Sequence, residues 1–322
     1  MGLGSLRFFL AFLVAISHLW ANMIHGPAAY AVWCFFVLSG FLMTYILQNK
    51  YGKTTGGLKA FAYNRFLRIY PLYYLACIFG FFAILFSVKY NIQLTSINPQ
   101  FKFPENLGDW LNNLLLLPIF GGSGLFVPVS GALSVEVMAY ILMPLIAFSK
   151  RAALLGLLLA VALNFSHGIN VESFPIRYSS FFTAYLTFCL GALICHFREF
   201  LSKFNFPIVS FSVWSIHCLV WVYYDKWPWT YGLYFSLILS SWLIISLYKI
   251  KSNKLDTLLG DLSYPIYLFH TVVAAFVGFF IGNSRTFAFF TISFFVTIFL
   301  SLFLIRFFDK SVRKFKLKVI SK

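Results

Sequence analysis

Apolar residues run along this chain in long stretches broken by short polar ones. Ten such stretches fall at 6–24, 29–48, 69–88, 130–149, 152–166, 177–196, 207–222, 230–248, 263–282 and 287–306. A helix rises about 1.5 Å per residue, so about 20 residues cross a hydrocarbon core about 30 Å thick. The pattern therefore predicts membrane-crossing helices rather than core helices of a soluble domain. The stretches at 152–166 and 207–222 are the shortest. GDWLNNLLLLPIF (108–120) has an apolar core too short to span, which predicts a re-entrant or interfacial helix. GGSG (121–124) lacks an adjacent Lys-Ser or Lys-Thr and reads as a flexible connection, not a phosphate loop.

Composition supports the pattern. The chain is 61% hydrophobic and 11% charged, where soluble domains carry about 25% charged residues. The fold class expected is all-α: a polytopic integral membrane bundle of about ten transmembrane helices. It forms a single membrane-embedded domain over 1–322, with a basic tail at 307–322. The first stretch has one basic residue and no clean cleavage site, so it is expected to stay as a span and not to be removed as a signal peptide. The five cysteines all fall in apolar stretches without metal-ligand spacing, so they read as packed residues, and no metal is expected.

The net charge of +16 would suit a nucleic-acid partner, but its distribution argues otherwise. With the N-terminus in the cytoplasm, only Lys89, Lys102, Arg177, Lys226 and Arg285 fall outside, and the other 20 of the 25 Lys and Arg fall inside. That bias predicts cytoplasmic termini on both ends, a multi-pass protein of the cytoplasmic (inner) membrane, and anionic membrane lipid as the partner of the charge. No nucleic acid is expected.

Polar groups inside the apolar stretches are the candidates for chemistry, because ionisable residues are costly there. Arg7 and His18 are 11 residues apart, close to three helical turns, so they share a face about 16 Å long. Arg7 also reads as a snorkelling anchor, and His18 as an inter-helix hydrogen bond. Arg65 and Arg68 sit at i, i+3 on one face before the third stretch, where guanidiniums can grip phosphates; a topology anchor is the competing reading. Glu136 lies about two turns inside the fourth stretch, at a depth expected to match His18, which would allow a Glu–His pair. His270 in the ninth could line the same cavity or make a structural hydrogen bond. His25, His167, His196 and His217 are assigned no role.

In order along the chain, these residues resemble the acyltransferase-3 family, membrane acyltransferases that O-acetylate bacterial surface and cell-wall glycans. The resemblance rests on Arg-x10-His (Arg7, His18); FFVLSGF (35–41); Arg65-x-x-Arg68 followed by IYPLYY (69–74); LSVE (133–136) with Tyr140 and Pro144; and SYPIYLFH (263–270). Two departures stand out. Trp33 and Cys34 precede Phe35 where an acidic residue is common, and Gly131-Ala132 replaces a usual Trp-Ser.

The resemblance implies transfer of an acetyl group from cytoplasmic acetyl-CoA, the acyl donor and co-substrate, to a hydroxyl of an extracytoplasmic or lipid-linked glycan. The site residues expected are catalytic His18 and Glu136, donor-binding Arg7, Arg65 and Arg68, and a second tier of Ser134, Tyr140 and His270. His18 would act as general base with Glu136 orienting it, or form a transient acetyl-histidine. Some members carry an external esterase-like domain; this chain is expected to act alone or with a separate partner. The alternatives are a transporter of a glycan or other small substrate, and a non-catalytic glycan-presenting partner. No inverted repeat supports transport.

Overall fold

Because nearly every run is apolar, the backbone must satisfy its own hydrogen bonds, and helices do so within one segment. The computed structural model describes residues 2–23, 26–117 and 123–317, without the side chains of Asp309 and Arg313, and contains no strand among them. Its helices are α1 (Leu3–Leu19), α2 (Ala28–Ile46), α3 (Thr55–Tyr90), α4 (Leu107–Leu115), α5 (Ser130–Phe148), α6 (Lys150–Ser166) and α7 (Phe174–Ser179). They continue with α8 (Phe181–His196), α9 (Arg198–Leu201), α10 (Pro207–Leu219), α11 (Tyr231–Leu247), α12 (Lys254–Ile281), α13 (Phe287–Leu304) and α14 (Lys310–Arg313). Nine of the ten predicted stretches each fall on one helix, and the stretch at 177–196 runs over the end of α7 and the whole of α8. His25, Gly121 and Gly122 lie outside the described residues.

Among the described residues, five helical segments are long and apolar enough to cross a membrane: Ala28–Tyr51, Thr55–Tyr90, Ser130–Phe148, Lys254–Ile281 and Phe287–Val312. A pair bent by 78°, Phe181–His196 with Arg198–Phe204, counts as a sixth if the two form one span. Helix α3 starts 14 positions before its apolar stretch. Thr54 caps it by accepting the Gly57 N–H, and the helix carries Arg65 and Arg68 on its first turns.

Helices α1 and α12 lie parallel and form the most extensive pairing together with α2 and α8. At its amino end, α1 has no cap of its own. Asp256, at the start of α12, fills that role by accepting from the N–H groups of Gly2, Gly4 and Ser5 and from the Ser5 hydroxyl. Gly4 is required there, because a Cβ would run into the Asp256 carbonyl oxygen. Small residues also set the α2–α8 crossing, where Gly40 lies on the Phe188 backbone and Gly191 on Val37.

Between α3 and α5, helix α4 and residues 123–129 pack against the bundle, while Pro118, Ile119 and Phe120 of GDWLNNLLLLPIF lie outside the described residues. The α4 carboxyl end exposes carbonyls that three tyrosines of IYPLYY satisfy. Tyr73 donates to Asn113 O at 2.7 Å, Tyr74 to Leu114 O and Tyr70 to Leu115 O, both at 2.9 Å. The segment that leads into α5 is pinned by Asp109, which accepts from the Ser123 hydroxyl and N–H. Burial pushes the Asp109 carboxyl up, and these bonds together with the Glu105 N–H carry it below its usual range. Val127 and Val129 are buried, and the Tyr267 hydroxyl reaches Val129 O at 2.8 Å. Helix α5 therefore starts deep inside the bundle.

Candidate functional site

The resembling motifs converge on one cavity of about 270 Å³. Arg7 comes from α1, Phe35 and Ser39 from α2, Arg65 and Arg68 from α3, Glu136 and Tyr140 from α5, and Ser263, Tyr264 and Tyr267 from α12. The remaining walls are apolar, including Val32, Leu42 and Met43. Such a lining of apolar walls and a few convergent polar groups is the usual form of a ligand site.

The charges are unbalanced. Glu136 Oε1 accepts from the Ser39 hydroxyl at 2.8 Å and the Tyr140 hydroxyl at 2.5 Å. Among the described residues, no ion pair joins Glu136 to a guanidinium; the pairs present are Lys102–Glu105, Arg198–Glu199 and Lys249–Glu199. Arg65 lies over the Phe61 ring with its Nε buried and without a hydrogen-bond partner among the described residues. Three guanidiniums facing one engaged carboxylate make this a site for an anion. Ser39 went unnoticed in the sequence. Its signal was its place in FFVLSGF, where Ser39 holds Glu136 while Gly40 lets α8 approach.

His18 is elsewhere. The expected His18–Glu136 pair does not form. Because α5 begins deep in the bundle, Glu136, two turns further on, falls at the level of Arg7, within electrostatic range of it together with Arg68, Tyr140 and Asp261. His18 is about 16 Å farther along α1, from 11 residues of helical rise. There its ring lies 5.4 Å from that of His270, centroid to centroid, and Arg285 Nη1 donates to its backbone carbonyl at 3.2 Å. The Tyr267 ring, 6.3 Å from His270 and 6.3 Å from Phe35, lies between cavity and histidine pair.

Of the second tier, Tyr140 lines the cavity. Ser134 does not: its hydroxyl returns to Gly131 O of its own helix at 2.7 Å. His270 is fully buried beside His18 and does not line the cavity either. The departures also find places. Ala132 lines the cavity and a Cβ on Gly131 would meet open space, so this small pair leaves room where a Trp would stand. Trp33 and Cys34 are buried on the far side of α2, with Trp33 edge-on to Tyr234.

Among the described residues, no group of three or more His, Cys, Asp and Glu gathers to hold a metal. Arg177, which the sequence offered only as an outer-loop charge, is completely buried. It donates to Asn170 O and Trp229 O, both at 2.6 Å, to the Ser173 hydroxyl at 2.9 Å and to the Tyr234 hydroxyl at 3.1 Å.

No solved structure matches the chain. It is similar to the O-acetyltransferase OatA of Staphylococcus aureus, strains NCTC 8325 / PS 47, COL and MRSA252, with 25% identity over 319 residues in each case. The match covers 86% of this chain and 51% of the relative, so the chain spans about half the length of the curated relatives it matches. The model of the family Acyl_transf_3, described as an acyltransferase domain, matches residues 2–306, nearly the whole chain. With the motifs of that family gathered around one arginine-lined cavity, the chain belongs to the acyltransferase-3 family.

Proposed function

We propose that this chain is a membrane O-acetyltransferase that moves an acetyl group from cytoplasmic acetyl-CoA to a hydroxyl of a glycan, extracytoplasmic or lipid-linked, at the other side of the inner membrane. Ten helices cross the bilayer in this reading, with both termini and the basic tail in the cytoplasm, as the distribution of Lys and Arg requires. The observation that carries the proposal is the cavity: Arg7, Arg65 and Arg68 meet there without an acidic partner in salt-bridge contact among the described residues.

The three guanidiniums bind the phosphates of coenzyme A bidentately. Glu136, braced by Ser39 and Tyr140, keeps like charges from driving the cluster apart. This assigns Glu136 to the donor end and not to the side of the base. The apolar walls take the pantetheine arm, which points along α1 toward His18. Movement of the Tyr267 ring lets the thioester pass.

His18 then takes the proton of the acceptor hydroxyl as its oxygen attacks the thioester carbonyl. The tetrahedral intermediate collapses by breaking the C–S bond. The leaving thiolate recovers the proton from His18, giving the ester and free coenzyme A.

The test is transfer of label from radiolabelled acetyl-CoA to glycan in membranes holding the chain. Replacement His18→Ala is expected to lower transfer by roughly 10²- to 10⁴-fold, the usual worth of a general base, with donor affinity kept. Full activity of this variant would remove His18 from the reaction. Glycan uptake indifferent to acetyl-CoA would select the transporter instead.

A further inference from the structure

The reaction needs His18 to present a lone pair to the acceptor, so its single ring proton must be held on the other nitrogen. The residue expected to hold it, Glu136, is spent on Ser39 and Tyr140 at the opposite end of the α1–α12 column. Arg285, which faces His18 from the turn before α13, is a donor only. The Tyr267 hydroxyl gives its hydrogen to Val129 O and faces the cavity side of the histidine pair. The ring nitrogen left buried and unpaired beside His18 belongs to His270.

His270 is fixed in one tautomer by its own helix. Its Nδ1 lies 2.7 Å from Tyr267 O and 3.2 Å from Ile266 O. Both are acceptors, so Nδ1 carries the proton and Nε2 carries the lone pair. That Nε2 is buried, in a residue with no exposed surface, and has no hydrogen-bond partner among the described residues. Leaving a buried acceptor unmade is costly, and its persistence calls for a role. The nearest imidazole, His18, lies 5.4 Å away with the rings tilted by 41°. Hydrogen bonds of a catalytic centre are often loose before substrate arrives.

We propose that His270 is the positioning partner of His18: its Nε2 accepts the His18 ring proton, so that the opposite His18 nitrogen is the free lone pair facing the acceptor hydroxyl. The inference rests on the proposed function for its consequence, but its geometry can be read without turnover. When His18 takes the acceptor proton, the imidazolium has two N–H groups. One stays bonded to His270 Nε2; the other is returned to the leaving thiolate. No net proton moves onto His270.

Two measurements on the full chain test this together. The first compares kcat and the KM for acetyl-CoA in wild type, His270→Ala and His270→Gln, whose amide oxygen can replace the Nε2 acceptor. The second is ¹⁵N magnetic resonance of histidine-labelled protein in lipid, reading the His18 ring nitrogens. The expected result is a kcat lower by roughly 10- to 100-fold in His270→Ala, typical of outer groups that orient a working imidazole. KM is expected to hold, His270→Gln to recover most of the loss, and the His18 nitrogens to change from two distinct signals to an exchanging pair in His270→Ala. Unchanged kcat with unchanged His18 signals overturns the proposal. So does a His270→Gln as slow as His270→Ala with His18 signals like wild type, which would make His270 a packing residue. Should wild type transfer no acetyl group, the proposed function fails, and the His18 signals alone decide this inference. If His270→Ala does not fold, His270→Leu, which fills the space without an acceptor, takes its place in both readings: a slower kcat with an exchanging His18 pair supports the proposal, and two distinct His18 signals overturn it.

Discussion

Arg177 and the arginines of the cavity are the same residue type in the same apolar bundle, with opposite surroundings. Around Arg177 the protein closes: each guanidinium nitrogen donates, to two carbonyls and two hydroxyls in all, and none of its surface is exposed. Around Arg7, Arg65 and Arg68 it leaves a cavity, with Arg65 Nε without a partner among the described residues. A cation whose hydrogen bonds are complete within the protein holds parts of the chain together. One that lines a cavity with a donor left unmade is set to take a ligand. Burial alone does not separate the two cases; the destination of each N–H does.

The contrast can be broken by exchanging the losses. Replacing both Arg65 and Arg68 by Ala is expected to give the largest effect, a rise in the KM for acetyl-CoA of at least about 100-fold, since hydrogen bonds to charged groups contribute about 1.5–3 kcal/mol each. Thermal unfolding of this variant should match wild type. Replacement Arg177→Met should do the reverse. It leaves four acceptors unmade and is expected to cost about 2–3 kcal/mol of stability, read as an earlier unfolding midpoint, while the folded fraction keeps its KM. A raised KM in Arg177→Met, or early unfolding in the double variant, would erase the distinction. Asp256→Ala removes the cap that α12 lends to α1 and should cost about 1–2 kcal/mol in the same unfolding measurement. The smallest change is expected from Tyr140→Phe, which deletes one hydrogen bond to Glu136, about 1 kcal/mol. It should raise the donor KM a few-fold and leave the unfolding midpoint nearly in place, placing Glu136 with the arginines and not with His18.

Much of the bundle was legible because lipid-length apolar runs have few alternatives to helix. The arginine pair was legible for a local reason: i, i+3 spacing puts Arg65 and Arg68 on one face whatever surrounds them. Glu136 was misplaced because its depth depends on where α5 begins, and that is set by the packing of the preceding segment, held by Tyr70, Tyr73 and Tyr74. Nothing in LSVE encodes that packing. Asp256 was missed for a similar reason. Its carboxylate serves α1, distant in sequence, whereas periodicity describes only neighbours. The His270 tautomer depends on a bond to a backbone carbonyl three residues earlier in its own helix, which a sequence pattern does not display.

The cap that Asp256 lends to α1 also bears on synthesis. Helix α1 starts with N–H groups that no cap of its own meets, and their partner is 254 positions downstream. Until that distance has been translated, Arg7 has no α12 wall beside it and His18 has no His270. The α1–α12 column is therefore completed only when α12 has been made and joins α1, and a chain interrupted before α12 carries Arg7 and His18 without the wall that packs against them.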